Sequence, residues 1–89
     1  MSKKPWMLIA VREREIMTEQ FETYEDARET MLRELKYEFN RVYNEEDWEV
    51  VIRDYPFVNT FDDFGFDKWS AWSNIDDNWN YDWAIVSVD

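Results

Sequence analysis

The 89-residue sequence contains no cysteine and no histidine. Disulfide bonds, thiolate nucleophiles, zinc sites with sulfur or imidazole ligands, and histidine acid–base chemistry are therefore excluded. An enzyme built from this chain would have to use carboxylate, tyrosine, serine or lysine side chains. The lack of cysteine is compatible with a reducing compartment, and we expect a cytoplasmic protein.

Glycine and proline are scarce, with one glycine and two prolines, while 45% of the residues are hydrophobic and 19% are aromatic. This composition is typical of a folded chain rather than a disordered one, and we expect residues 1–89 to form a single compact domain. No apolar run reaches the roughly 18 residues of a membrane span. The apolar run at residues 5–11 ends without a small-residue cleavage site, so it predicts a buried strand rather than a signal peptide.

Positive charge is scarce as well: the chain has 10 basic and 21 acidic residues, which gives a net charge of −11. The imbalance lies mainly in residues 45–89, which carry a net charge of −10, whereas residues 1–14 carry +3. Such a surface repels nucleic acid and anionic lipid and attracts cationic partners. We therefore expect a basic protein partner, and no direct binding to nucleic acid or membranes.

Two segments are apolar on both of their alternating faces, which is typical of central strands covered on both sides. They are residues 5–12 and residues 81–88. The more polar residues 15–22 predict an edge strand in a hairpin with the first segment. Residues 68–75 predict the strand that precedes the last one, and the polar residues 76–80 predict the turn between them.

Between the two hairpins, an apolar stripe at helical spacing predicts a long helix that begins after the N-cap Thr23 and ends near Tyr43. The stripe consists of Tyr24, Ala27, Met31, Leu35, Phe39 and Val42. Residues 44–55 fit a short second helix better than a strand, and residues 57–67 look like an aromatic, acidic loop. The pattern predicts an α+β fold in the order β-β-α-α-β-β, a four-stranded antiparallel sheet with the long helix packed on one face.

Two stretches of the chain resemble small uncharacterised proteins of gut-bacterial chromosomes, mobile elements and phages, which often end in an Asn-Tyr-Asp-Trp strand. The stretches are Trp6–Ile16 (WMLIAVREREI) and Lys68–Val88 (KWSAWSNIDDNWNYDWAIVSV). The resemblance implies an intracellular bacterial or phage setting. It implies no activity, cofactor or site residue.

Catalytic and metal sites have weak support in the sequence. The alternating oxygen ligands of residues 76–82 match the first half of a calcium loop, but Tyr81 and Ser87 replace its required glycine and glutamate. Asp62, Asp63 and Asp67 flank Gly65, and a pair of such carboxylates could act as the acid and the base of a glycoside hydrolase. A chain this short has little room for a cleft that holds a sugar. We therefore predict no catalytic residue, no metal and no cofactor.

The predicted partner-binding residues are acidic side chains of the second half of the chain, together with two tryptophans. Trp79 falls in the predicted turn, and Trp72 faces away from its apolar neighbours in the strand, so both are candidate exposed anchors. The predicted set is Glu45, Glu46, Asp47, Asp62, Asp63, Asp67, Asp76, Asp77, Trp72 and Trp79.

These features favour a non-enzymatic, acidic protein-interaction domain. One form of this function is mimicry of a nucleic-acid backbone, in which the carboxylates occupy the cationic groove of a basic host or defence protein. A surface that serves only solubility is the ordinary alternative. Two further alternatives are a small ligand-binding module, in which Phe57–Trp69 closes over a sugar or another flat molecule, and a homodimer joined through an exposed aromatic face.

Overall fold

The protein is a five-stranded antiparallel sheet with a helical layer against one face. A computed structural model describes residues 4–13, 15–54, 63–76 and 79–88. The elements in chain order are β1 (Trp6–Arg12), β2 (Glu15–Phe21), α1 (Tyr24–Phe39), α2 (Glu45–Asp54), β3 (Phe64–Phe66), β4 (Ser70–Asp76) and β5 (Trp79–Ser87). The strands lie in the order β2-β1-β5-β4-β3. The predicted α+β class, both hairpins and the central pairing of β1 with β5 are confirmed.

The predicted number of four strands is wrong, because β3 forms inside the segment predicted to be a loop. Phe64 and Phe66 are buried in the core, and the three-residue strand pairs with β4 at the edge of the sheet. A strand of this length is too short to show an alternating pattern, and the glycine between the two rings lowers its strand propensity. The earlier part of the predicted loop lies outside the described residues.

The β4–β5 hairpin is longer than predicted. Asp76 is the last residue of β4 and pairs with Trp79, the first residue of β5. Trp79 therefore belongs to a strand, and the prediction that it lies in the turn is wrong. The register shifts between Ser73 and Asp76, and this irregularity lets the pairing continue beyond the end of the regular pattern.

Helix α1 begins as predicted and ends earlier. The Thr23 hydroxyl oxygen accepts a hydrogen bond from the Asp26 amide at 3.1 Å, which caps the helix. At the other end, the amides of Val42 and Tyr43 both donate to the Phe39 carbonyl, which closes the chain into a turn. Val42 consequently leaves the predicted apolar stripe and is 58% exposed.

The aromatic core joins the two helices to the edge of the sheet. Phe39 is fully buried, and its ring lies 5.3 Å from that of Trp48 in α2 and 5.3 Å from that of Phe64 in β3. Val51 of α2 is also fully buried. Aromatic pairs of this kind stabilise a fold by roughly 0.5–1.5 kcal/mol each beyond their buried area. These contacts fix which side of α2 faces inward.

The two faces of the sheet have different surroundings. The side chains of Leu8, Trp83 and Ile85 point toward α1 and are buried. On the opposite face, Ile9 is half-buried and Val86 is exposed. No described helix or strand lies over this second face. The expectation that the central strands are covered on both sides is therefore met on one side only within the described residues.

Gly65 is required where the Trp72 indole crosses β3. The two residues are paired across β3 and β4, and a Cβ at Gly65 would overlap the indole nitrogen and lie 3.0 Å from Cε2. We expect Gly65→Ala to lower the free energy of unfolding by about 1–3 kcal/mol, because the indole must leave its place. Urea unfolding measures this change.

The control for this prediction is the same substitution in a Trp72→Ala background. There the added methyl meets no ring, and alanine loses less backbone entropy than glycine on folding, so the cost should vanish. An equal cost in both backgrounds would show that the indole does not lie over Gly65.

Candidate interaction surfaces

Helix α2 carries the densest group of acidic side chains in the described chain. Its sequence EEDWEVVIRD contains five acidic residues and one basic residue. The first-turn carboxylates suit this position because the amino end of a helix has a partial positive charge. Glu45, Glu46 and Glu49 fall within about 100° of the helix circumference. Glu46 and Glu49 point away from the buried Trp48 and Val51, and Glu45 lies at the border of the buried side, about 60° from Trp48. We call these three glutamates the acidic helix surface.

Basic residues neutralise only part of this charge. Lys36 Nζ lies 2.7 Å from Glu45 Oε1, and this contact lowers the pKa of Glu45. Arg53, the only basic residue of α2, pairs with its neighbour Asp54 at 3.1 Å. Glu46 and Glu49 form no ion pair with any residue that the structure describes. The acidic helix surface thus keeps two exposed carboxylates outside ion-pair distance, although Glu49 lies near enough to Arg53 to help raise the pKa of its guanidinium after the larger effect of Asp54.

Asp63 lies beside the start of α2. The Tyr43 hydroxyl donates a hydrogen bond to Asp63 Oδ2 at 2.8 Å, and the Asn74 amide donates to the Asp63 carbonyl at 2.8 Å. Asp63 Oδ1 is buried and has no hydrogen-bond partner in the described parts of the chain. The described contacts of this predicted partner residue are thus with Tyr43 and Asn74 rather than with the acidic helix surface, and its side chain is half-buried. Asp47, another predicted residue, is half-buried as well.

Asp67 has a structural role in the turn between β3 and β4. Its Oδ1 accepts hydrogen bonds from the amides of Trp69 and Ser70, both at 2.8 Å, and from the Ser70 hydroxyl at 3.0 Å. The Trp69 amide is the largest cause of a lowered pKa at Asp67. One oxygen of this predicted partner residue is thus occupied by the turn itself.

Trp72 faces away from Ala71 and Ile75 as predicted and is 42% exposed. It lies on the sheet face opposite the helices, so the structure separates it from the acidic residues of α2. Four further predicted residues have side chains outside the described part of the structure: Asp62, Asp76, Asp77 and Trp79. The predicted set thus does not form a single patch among the side chains that are described.

Sequence analysis missed the sheet face on which Trp72 lies. We call it the open face, defined by the outward positions of the strands. These are Met7, Ile9, Val11, Ile16, Thr18, Gln20, Gly65, Ser70, Trp72, Asn74, Asn80, Asp82, Ala84 and Val86. Asp82 is the single charged residue in this set. The signal was present, because β1 and the second half of β5 are apolar on both faces, but periodicity does not say what covers each face.

A cleft of about 280 Å³ lies on the covered side, between α1 and the sheet. The charged groups that line it are paired within it. Trp83 Nε1 donates to Glu34 Oε1 at 3.3 Å, and Arg41 lies 3.1 Å from the buried Glu38. Arg12 lies 5.7 Å from the centre of the Tyr81 ring and donates to its hydroxyl. This pairing and the small volume give the cleft little capacity for a ligand.

Comparisons with known proteins identify no relative: no protein-family model matches the chain, and no curated protein or solved structure is significantly similar to it. Within the described ranges, no cluster of three or more acidic side chains is arranged to hold a metal ion. Neither described helix is long and apolar enough to cross a membrane. The acidic helix surface and the open face are therefore the two features from which a function can be argued.

Glu34 should make the stability of the protein depend on pH. Burial raises its pKa, and the hydrogen bond from Trp83 only partly opposes this rise. The folded state therefore holds the proton more tightly than the unfolded state, and ionisation above about pH 4.3 lowers the stability. We expect Glu34→Gln to raise the melting temperature near pH 7 and to have little effect near about pH 3.5, where the carboxyl is protonated in both states.

Thermal unfolding at the two pH values measures this difference. Glu29→Gln is the matched control, since Glu29 lies on the same helix and is exposed. Its melting temperature should stay close to that of the wild type at both pH values. A Glu34→Gln protein that is less stable than the wild type near neutral pH would contradict the account of this cleft.

Proposed function

We propose that the protein is a non-enzymatic interaction domain that binds a basic protein through the acidic helix surface. The observation that carries the proposal is the exposed pair Glu46 and Glu49, which have no ion-pair partner among the described residues, beside Glu45, which has one. Together these three glutamates form a negative surface on one side of a single helix.

The packing of α2 supports this function. Trp48 and Val51 bury the inner side of the helix in the aromatic core, so the carboxylates already face outward before a partner arrives. A partner then loses less free energy in ordering the surface. The net charge of −11 adds long-range attraction that speeds the encounter with a cationic protein.

The structure gives less support to the ligand-binding module. Of the aromatic residues assigned to its closing loop, Phe64 and Phe66 are buried in the core. Trp69 stacks on Trp6 at 6.0 Å and contacts Tyr24 at 4.8 Å. These rings already have packing partners within the fold. We therefore propose the acidic interaction domain rather than the ligand-binding module.

Neutralising α2 should weaken binding to a cationic probe more than neutralising α1. The probe is a peptide of about ten arginines, measured by fluorescence anisotropy at low salt. We expect Glu46→Gln/Glu49→Gln to lower the affinity by about fivefold relative to Glu25→Gln/Glu29→Gln, since each exposed ion pair contributes roughly 0.2–1 kcal/mol. Both variants remove two negative charges from the first two turns of a helix, so their net charges are equal.

Equal losses in the two variants would show that only the overall charge attracts the probe, and the proposal would fail. Affinity should also fall as salt rises from about 50 to 300 mM, because the charges are exposed and screened. Affinity that stays constant over this range would contradict an acidic interface. A competition experiment with a basic DNA-binding protein would then test for mimicry of the nucleic-acid backbone. If DNA displaces this protein from that partner, the two use the same cationic groove; if it does not, the acidic contact lies elsewhere.

A further inference from the structure

The open face of the sheet has no role in the proposed function. We propose that it is a dimerisation surface, on which two copies of the chain pack sheet against sheet. The helical layers then lie on the two outer sides of the assembly. The inference stands independently of the acidic helix surface, which lies on the opposite side of the sheet.

The open face carries little charge and is apolar along β1. In a chain with 35% charged residues, the described strand positions of this face carry one charge, on Asp82. A solvated face of an antiparallel sheet is normally polar, yet β1 contributes Met7, Ile9 and Val11. Half of the fourteen positions of the open face are apolar, and those of β1 adjoin Ile16 in β2 and Ala84 and Val86 in β5. A contiguous exposed apolar patch of this kind marks contact with another molecule.

The open face is large enough to form an interface between two copies. Neighbouring strands lie about 4.8 Å apart and a seven-residue strand is about 23 Å long, so five strands present on the order of 500 Å². Two copies together would bury on the order of 1,000 Å², which reaches the lower limit of a specific protein interface. The face is thus large enough for a dimer of moderate affinity.

The charge pattern favours a second copy as the occupant. A basic partner would find a single carboxylate here, and an anionic membrane would find no cationic side chain at the described strand positions. A second copy presents a surface of the same low charge, with one carboxylate on Asp82. Two sheets packed about 10 Å apart would keep the acidic helix surfaces of the two copies on opposite outer sides, so that their charges stay apart.

The position of Asp82 is compatible with this arrangement. Ile9 and Ala84 are paired at the middle of β1, and Asp82 lies two residues from Ala84 toward one end of β5. A two-fold axis that crosses the strands at the level of Ile9 places the two Asp82 side chains on opposite sides of the axis. The two carboxylates would therefore not meet.

Sedimentation equilibrium of the full chain tests the proposal. With rising concentration up to about 100 μM, the mass should increase from 11.1 kDa toward twice that value. Association should strengthen as salt rises from about 50 to 500 mM, because salt screens the repulsion between two chains of net charge −11. This dependence is opposite to that expected for the acidic helix surface, so the two proposals fail separately.

Three substitutions to lysine locate the interface. Val86→Lys, at a site 37% exposed on the open face, should weaken self-association at least tenfold, and Ile16→Lys, at 70% exposure, should weaken it less. Val42→Lys, at 58% exposure outside the sheet, should associate like the wild type. Each variant changes the net charge equally and lowers the repulsion, so weaker association cannot come from charge. Circular dichroism checks that each variant is folded. If Val86→Lys unfolds, the comparison of Ile16→Lys with Val42→Lys locates the interface.

A mass of one chain at the highest concentration and salt would overturn the proposal. So would equal effects of Val42→Lys and of the folded open-face variants, because the contact would then lie elsewhere. Weaker association confined to the open-face variants would support the sheet-to-sheet dimer.

Discussion

The constraint on which the structure depends is that β1 and the second half of β5 are apolar on both faces, while the described helices cover one face. On the covered side, α1 buries Leu8 and Ile85 and forms the core. On the other side, Ile9 and Val86 remain at least partly accessible. A sheet with two apolar faces needs two covering layers, because apolar area left in water forgoes about 25 cal/mol per Å². The dimer that we propose would supply the second layer from another copy.

The same constraint separates the charges from the apolar surface. Phe39 holds Trp48 and Phe64 in one aromatic cluster, and this cluster orients α2 so that its carboxylates point outward. The open face retains a single charged side chain among its described positions. Acidic contact and sheet packing would therefore use different sides of the molecule, and salt should act on them in opposite directions.

Sequence reasoning predicted the parts of the fold that depend on local patterns. The capped start of α1, the two hairpins and the central β1–β5 pairing follow from periodicity and turn residues. It missed β3 and extended α1 to about Tyr43, because a three-residue strand has no readable period and the turn after Phe39 depends on tertiary packing. It placed the carboxylates of α2 on a helix and oriented Trp72 correctly within its strand. It could not predict that these lie on opposite sides of the sheet, because that separation arises only when the elements pack.

The accessibility of the open-face methyl groups to a soluble paramagnetic probe, measured by nuclear magnetic resonance, tests this account most directly. In dilute protein at low salt, the probe should broaden the methyl signals of Ile9 and Val86 and leave those of Leu8 and Ile85 sharp. As concentration and salt rise, the signals of Ile9 and Val86 should become protected. Protection at every concentration, in samples whose sedimentation mass is that of one chain, would show that the same chain covers this face. Broadening at every concentration would show that no second copy binds there.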